Sequence, residues 1–62
     1  MRIWFRNLRK EMNLTQMQMA ELVGFDYRLI SKIEVGGSIK VTTAKQIAKV
    51  LNIDWKKFYE ET

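Results

Sequence analysis

Apolar residues recur three and four places apart along most of this chain, the spacing of one face of an α-helix rather than the alternation of a strand. Over residues 2 to 12, Trp4, Phe5, Leu8 and Met12 make one such stripe, with Arg6, Asn7 and Lys10 on the side that faces water and Arg9 at its edge. A second stripe, Met19, Ala20 and Val23 joined by Leu14, predicts another helix, from which Met17 and Leu22 point outward. Turning the next segment by about 100° per residue puts Ile30 and Ile33 on one side, flanked by Asp26 and Leu29. Arg28 and Lys32 fall opposite, with Tyr27 and Ser31 beside them. From residue 41 to 51, Ala44, Ile47, Ala48 and Leu51 share one face and Thr42, Lys45, Gln46 and Lys49 the other, with Thr43 at the edge of the core. A last short helix carries Trp55 and Phe58, which are expected to close the core against Trp4 and Phe5. Tyr59 and the acidic tail, Glu60 and Glu61, are expected at the periphery.

The residues between the stripes mark where helices start and stop. Thr15, with Gln18 three places on, matches the capping box that opens a helix. Gly24 can adopt the positive φ that ends a helix and turns the chain, with Phe25 filling the space under the turn. Asp26 is a good N-cap for the helix that follows. Asn13 and Leu14 lead into the second helix, Asn52 ends the fourth, and Asp54 caps the last. Residues Thr15 to Glu34 are thus two short helices about a tight turn, with the small Ala20 where a second helix can approach. An exposed strip of Tyr, Arg, Ser and Lys on a helix clamped from behind suits reading base edges in a major groove. Charge on the outer face of an ordinary solvated helix accounts for Arg28 and Lys32 equally well on this evidence alone.

Composition narrows the function classes. The 62 residues include no Cys and no His, which removes disulfides, thiolate chemistry and the usual zinc ligands. A chain this short lies near the lower limit for a single core, so self-association is expected on physical grounds, and no second domain is expected. Lys and Arg number 11 against 7 Asp and Glu, and the net charge of +4 gives a modest bias toward phosphate or another acidic partner. No apolar run approaches the ~20 residues that span a bilayer. The opening Met1 to Phe5 lacks the apolar core of a signal peptide, so the expected location is cytoplasmic. Asp26 and Asp54 are explained as caps, and no glycine-rich phosphate loop or convergent carboxylate pair is present. Neither an enzyme, nor a cofactor, nor a metal site is expected.

Taken in order, Gln16, Ala20, Gly24, Ile30, Ile33, Glu34 and Gly36 resemble the helix-turn-helix of the phage-repressor and Cro-like (XRE-type) family of bacterial and phage transcriptional regulators. Leu8-Arg9-Lys10 before that stretch and Ile47-Ala48-Lys49-Val50-Leu51 after it extend the resemblance over most of the chain. The ending, Asp54-Trp55-Lys56-Lys57-Phe58-Tyr59, is similar to one branch of the family. The resemblance implies an all-α fold, a compact five-helix bundle of the phage lambda repressor-like DNA-binding type, in one domain over 1–62 with the helix-turn-helix at 15–34. It also implies a sequence-specific regulator of double-stranded DNA, most often a homodimeric repressor at a pseudo-palindromic operator. Such a protein acts at the bacterial or phage chromosome. Whether the dimer forms before or upon meeting DNA stays open, and no antagonist or partner protein is identified.

Roles carry over by position. Tyr27, Arg28, Ser31 and Lys32 fall where the family's base-contacting side chains lie. Arg28 could grip guanine O6 and N7 with two donors, a contact worth about 1–3 kcal/mol of discrimination. Lys32 could reach guanine or phosphate, and Tyr27 a sugar, a thymine methyl or a phosphate. Leu29 could touch a thymine methyl, but packing at the helix edge explains it as well. Thr15 and Gln16 stand at the first turn of the second helix, where free N–H groups favour phosphate, and the family uses this Gln against the DNA backbone. The family commonly pairs an Arg at the place of Arg9 with the Glu at the place of Glu34, a structural contact that contributes geometry more surely than net stability.

The sequence departs from the family after Glu34. The stretch Val35-Gly36-Gly37-Ser38-Ile39-Lys40 is one residue shorter than the usual loop, has Val for Asn, and lacks Pro and two basic residues. Phosphate contact there would rest on the N–H groups of Gly36, Gly37 and Ser38 and on the charge of Lys40. Val35 and Ile39 read as exposed apolar residues and candidate dimer contacts. A second reading keeps the fold and makes the chain a protein-binding module, an antitoxin or controller-type partner, acting through Met17, Leu22, Val35 and Ile39.

Overall fold

The computed structural model describes residues 1–60. Its elements in order are α1 (Ile3–Glu11), α2 (Gln16–Val23), α3 (Tyr27–Glu34), α4 (Val41–Leu51) and a 3-10 turn (Trp55–Tyr59). The described residues include no strand, and no helix among them is long and apolar enough to cross a membrane. Among the described residues, four α-helices and a 3-10 turn stand where five helices were expected. After the Asp54 cap, Lys57 N–H donates to Asp54 O at 3.1 Å and Glu60 N–H to Lys57 O at 3.4 Å. These are the i→i+3 bonds that a segment too short for an α ladder adopts. Glu61 of the acidic tail lies outside the described residues.

Each element contributes to one core. Phe5, Met19, Val23, Ile30, Ile33, Ile47 and Phe58 are buried with Ala20, Ala44 and Ala48, and Trp4, Leu14, Phe25, Leu29, Leu51, Ile53 and Trp55 pack around them. Burying a large apolar side chain contributes about 1.5–3 kcal/mol, so these few residues supply most of the driving force for the fold. Trp4 and Phe58 meet edge-on with ring centroids 5.0 Å apart, and Phe5 lies 5.7 Å from Phe58. Trp55 does not join them as expected: it pairs with Tyr59 at 6.0 Å, with Lys45 Nζ 5.0 Å over its ring. Met12 also leaves the predicted stripe, because α1 ends at Glu11 and the exposed Met12 is only its cap.

The helix ends follow one rule. All four α-helices close on a residue with positive φ: Asn13 (59°), Gly24 (82°), Gly36 (95°) and Asn52 (59°). The next residue then bonds back to the last turn: Leu14 N–H to Arg9 O at 3.2 Å, Phe25 to Ala20 at 2.9 Å, Gly37 to Lys32 at 2.8 Å and Ile53 to Ala48 at 3.0 Å. This closure satisfies carbonyls that a helix end leaves without partners. Three of the starts are capped by side chains. Thr15 and Gln18 form the reciprocal capping box, at 3.1 and 2.9 Å, while Asp26 accepts from Arg28 N–H at 2.9 Å and Asp54 from Lys56 N–H at 3.0 Å.

An apolar residue precedes each of these three caps and also Lys40, the N-cap of α4, and the fifth residue after it is buried: Leu14 with Met19, Phe25 with Ile30, Ile39 with Ala44, Ile53 with Phe58. Those are the places of a hydrophobic staple, which sets the angle at which the chain enters a helix. The pattern overturns the exposed reading of Ile39. Lying just before the Lys40 cap of α4, Ile39 is only 9% exposed and belongs to the core. Its carbonyl accepts the Tyr59 hydroxyl, while the Tyr59 side chain stays exposed at the periphery as expected. Val35, the other apolar loop residue, is 61% exposed.

Candidate nucleic-acid interface

Helix α3 has two unlike sides. Ile30 and Ile33 are fully buried and Leu29 packs at the edge of the core, while Tyr27, Arg28 and Lys32 are exposed and Ser31 is half-buried between the sides. Apolar residues on one side therefore hold the helix, and the opposite side presents a phenol, a guanidinium, a hydroxyl and an ammonium. Among the described residues neither Arg28 nor Lys32 forms an ion pair, so both cations are available to an external partner.

The last turn of α3 is fixed by polar bonds as well as by packing. Arg9 Nε donates to Glu34 Oε2 at 2.6 Å and its Nη2 to Glu34 Oε1 at 3.3 Å, with the Glu34 side chain 4% exposed. Arg9 Nη1 donates to Leu14 O at 2.7 Å. Gln16 Nε2 lies 3.3 Å from Glu34 Oε1, so the start of α2 and the end of α3 meet on one carboxylate. Thr15 is exposed beside Gln16, though its hydroxyl oxygen already accepts the capping bond. A buried Arg–carboxylate pair of this kind chiefly fixes geometry, since desolvation opposes its attraction.

The loop after α3 is where sequence reasoning and structure part. The N–H groups of Gly36 and Gly37 donate to Ile33 O at 3.1 Å and Lys32 O at 2.8 Å. They are engaged in closing the helix, so phosphate contact through the Gly37 N–H is withdrawn. Ser38 and Lys40 remain exposed and keep a hydroxyl and an ammonium for that purpose. Sequence reasoning also passed over Arg2, which is buried and donates from Nη1 to Ile33 O at 2.9 Å and to Gly37 O at 2.6 Å. Its place two residues before Trp4, where the first apolar stripe begins, gave no signal of burial.

The arrangement is a set of polar side chains on a helix held from behind. It offers a row of donors on a rigid helix, the chemistry of recognising an acidic, grooved polymer. A family model described as helix-turn-helix matches residues 5–58, which takes in most of α1, the whole of α2, α3 and α4, and most of the terminal turn. Comparison with curated proteins and with solved structures gave no match. The family match, over the order of elements just described, places this chain in the XRE and phage-repressor-like helix-turn-helix family of DNA-binding transcription regulators.

Proposed function

We propose that this protein is a sequence-specific, homodimeric repressor that inserts α3 into the major groove of a pseudo-palindromic operator. The observation that carries the reading is the division of α3, with Ile30 and Ile33 fully buried behind exposed Tyr27, Arg28 and Lys32. A helix held from behind presents its outer side chains at fixed places, as discrimination among base edges requires. In this reading Tyr27, Arg28, Ser31 and Lys32 meet bases, and Thr15, Gln16, Ser38 and Lys40 meet phosphates. The dimer has a physical argument of its own. The chain measures 25 × 20 × 20 Å and carries one recognition helix, whereas successive major grooves lie ~34 Å apart. Two copies related by a two-fold axis reach both half-sites, and occupancy then blocks polymerase.

Selection of bound duplexes from a random pool, at fixed near-physiological salt, tests the reading. The parent protein should enrich an inverted repeat with half-site centres about one helical turn apart, and Arg28→Ala/Lys32→Ala should lose it. Binding that enriches nothing and simply fades as salt rises would reduce the interaction to non-specific charge. A second reading, a protein-binding module of the same fold, draws on the exposure of Met17 (58%), Leu22 (47%) and Val35. It takes over if substitutions at these residues abolish activity in cells while Arg28→Ala/Lys32→Ala is silent.

A further inference from the structure

We infer that Arg2 is a positioning residue of the recognition face, which holds the end of α3 and, through Gly37, aims the Lys32 side chain. The inference rests on the proposal that this face meets DNA and extends it to a residue outside the face.

Arg2 begins one helix and closes another. Its carbonyl accepts from Phe5 N–H at 3.1 Å and Arg6 N–H at 3.2 Å, which opens α1. Its own N–H donates to Glu34 O at 2.9 Å, and its Nη1 reaches Ile33 O and Gly37 O. The side chain is thus anchored on both sides of the turn that ends α3. A buried guanidinium persists only where its donors find partners. The end of a helix, where carbonyls gather negative potential, is a favourable place for its charge. Arg2 at 6% exposure meets both conditions.

Gly37 passes this constraint on to Lys32. The Gly37 N–H donates to Lys32 O at 2.8 Å, and a methyl group added to Gly37 would come within 2.4 Å of Lys32 Cγ. The backbone at Gly37 therefore forms a wall along the Lys32 stem and limits the directions its ammonium can take. Moving Gly37 moves that wall. Arg28 lies a turn earlier, nearer the Asp26 cap, and the three atoms nearest a methyl group at Gly37 all belong to Lys32.

The test is a set of double variants. Arg2→Met keeps a long side chain and removes the donors, while Arg2→Lys keeps a charge and donors. Affinity for the selected duplex is measured for Arg2→Met alone, with Lys32→Ala, and with Arg28→Ala. Residues that act through one another show non-additive losses. Arg2→Met should weaken binding roughly tenfold in the parent and in Arg28→Ala, but less than about twofold in Lys32→Ala. Arg2→Lys should recover most of the loss. Equal loss in all three backgrounds, or none, overturns the inference.

Amide hydrogen exchange without DNA supplies the independent arm. In Arg2→Met, exchange at Gly36 and Gly37 should quicken by about tenfold or more while amides inside α2 and α4 keep their parent rates. Uniform acceleration would reduce Arg2 to a contributor to overall stability, and unchanged rates at Gly36 and Gly37 would remove the contact from the argument altogether. Should the parent enrich no duplex, the DNA proposal fails and the Lys32 clause falls with it. The exchange rates then decide separately whether Arg2 holds the end of α3.

Discussion

At the scale of single residues, Val35 and Ile39 show how two similar apolar side chains in one loop reach opposite fates. Ile39 precedes the Lys40 cap and turns into the core, whereas Val35 caps the end of α3 and stays outside. Truncating a buried Ile to Ala costs about 2–5 kcal/mol through lost burial and the cavity left behind. Surface truncations remain within about 0.5 kcal/mol. Urea unfolding should therefore show Ile39→Ala strongly destabilised and Val35→Ala near the parent. Equal midpoints for the two would contradict the placement of Ile39. Val35 alone then remains of the loop pair as a candidate dimer contact. The polar residues were legible unevenly. Thr15, Asp26 and Asp54 announced themselves as caps by their type and place, but the burial of Arg2 depends on carbonyls more than thirty positions away.

At the scale of elements, the four α-helices share an ending, and the residue types at those endings are the most readable part of the chain. Gly and Asn tolerate positive φ better than other residues, and only they occupy the four positions. Gly24 gives the cleanest measurement, because a methyl group there would meet nothing within 4 Å. The cost of Gly24→Ala is then the backbone penalty alone, about 1–2 kcal/mol for a residue forced into the left-handed region. The midpoint of urea unfolding should fall with the slope unchanged. A loss several times larger would reveal a packing role that the open space around Gly24 denies. The apolar residue before each cap was equally readable, since Leu14, Phe25, Ile39 and Ile53 all occupy that place. Reading Ile39 as a loop residue missed a signal that the other three carry.

At the scale of the whole molecule, charge and size bear on how DNA is held. A net charge of +4 is modest, and the loop after α3 keeps only Lys40 as a cation for phosphate. Each neutralised phosphate contributes about 0.9 to the slope of log affinity against log salt. If one Lys40 from each protomer contacts phosphate, Lys40→Ala should lower that slope by about 1.8 in the dimeric complex, with sequence preference unchanged. Titrations at several salt concentrations check this, and an unaltered slope would place Lys40 outside the interface.

The sequence by itself determined the helices, most of their boundaries and the side of each that turns inward, because these depend on spacing within a few residues. It also carried the family and the exposed strip of α3, since the order of Gln16, Ala20, Gly24, Ile30, Ile33 and Glu34 is local. Only the tertiary structure decided what joins the elements. The clamp of Arg2 across the end of α3 and the joining of Gln16 to the Arg9–Glu34 pair are contacts between distant segments. Their partners are backbone atoms or carboxylates that every sequence offers in many places, so no periodicity selects among them. Folding brings one set within bonding distance, and that choice fixes how firmly α3 is held.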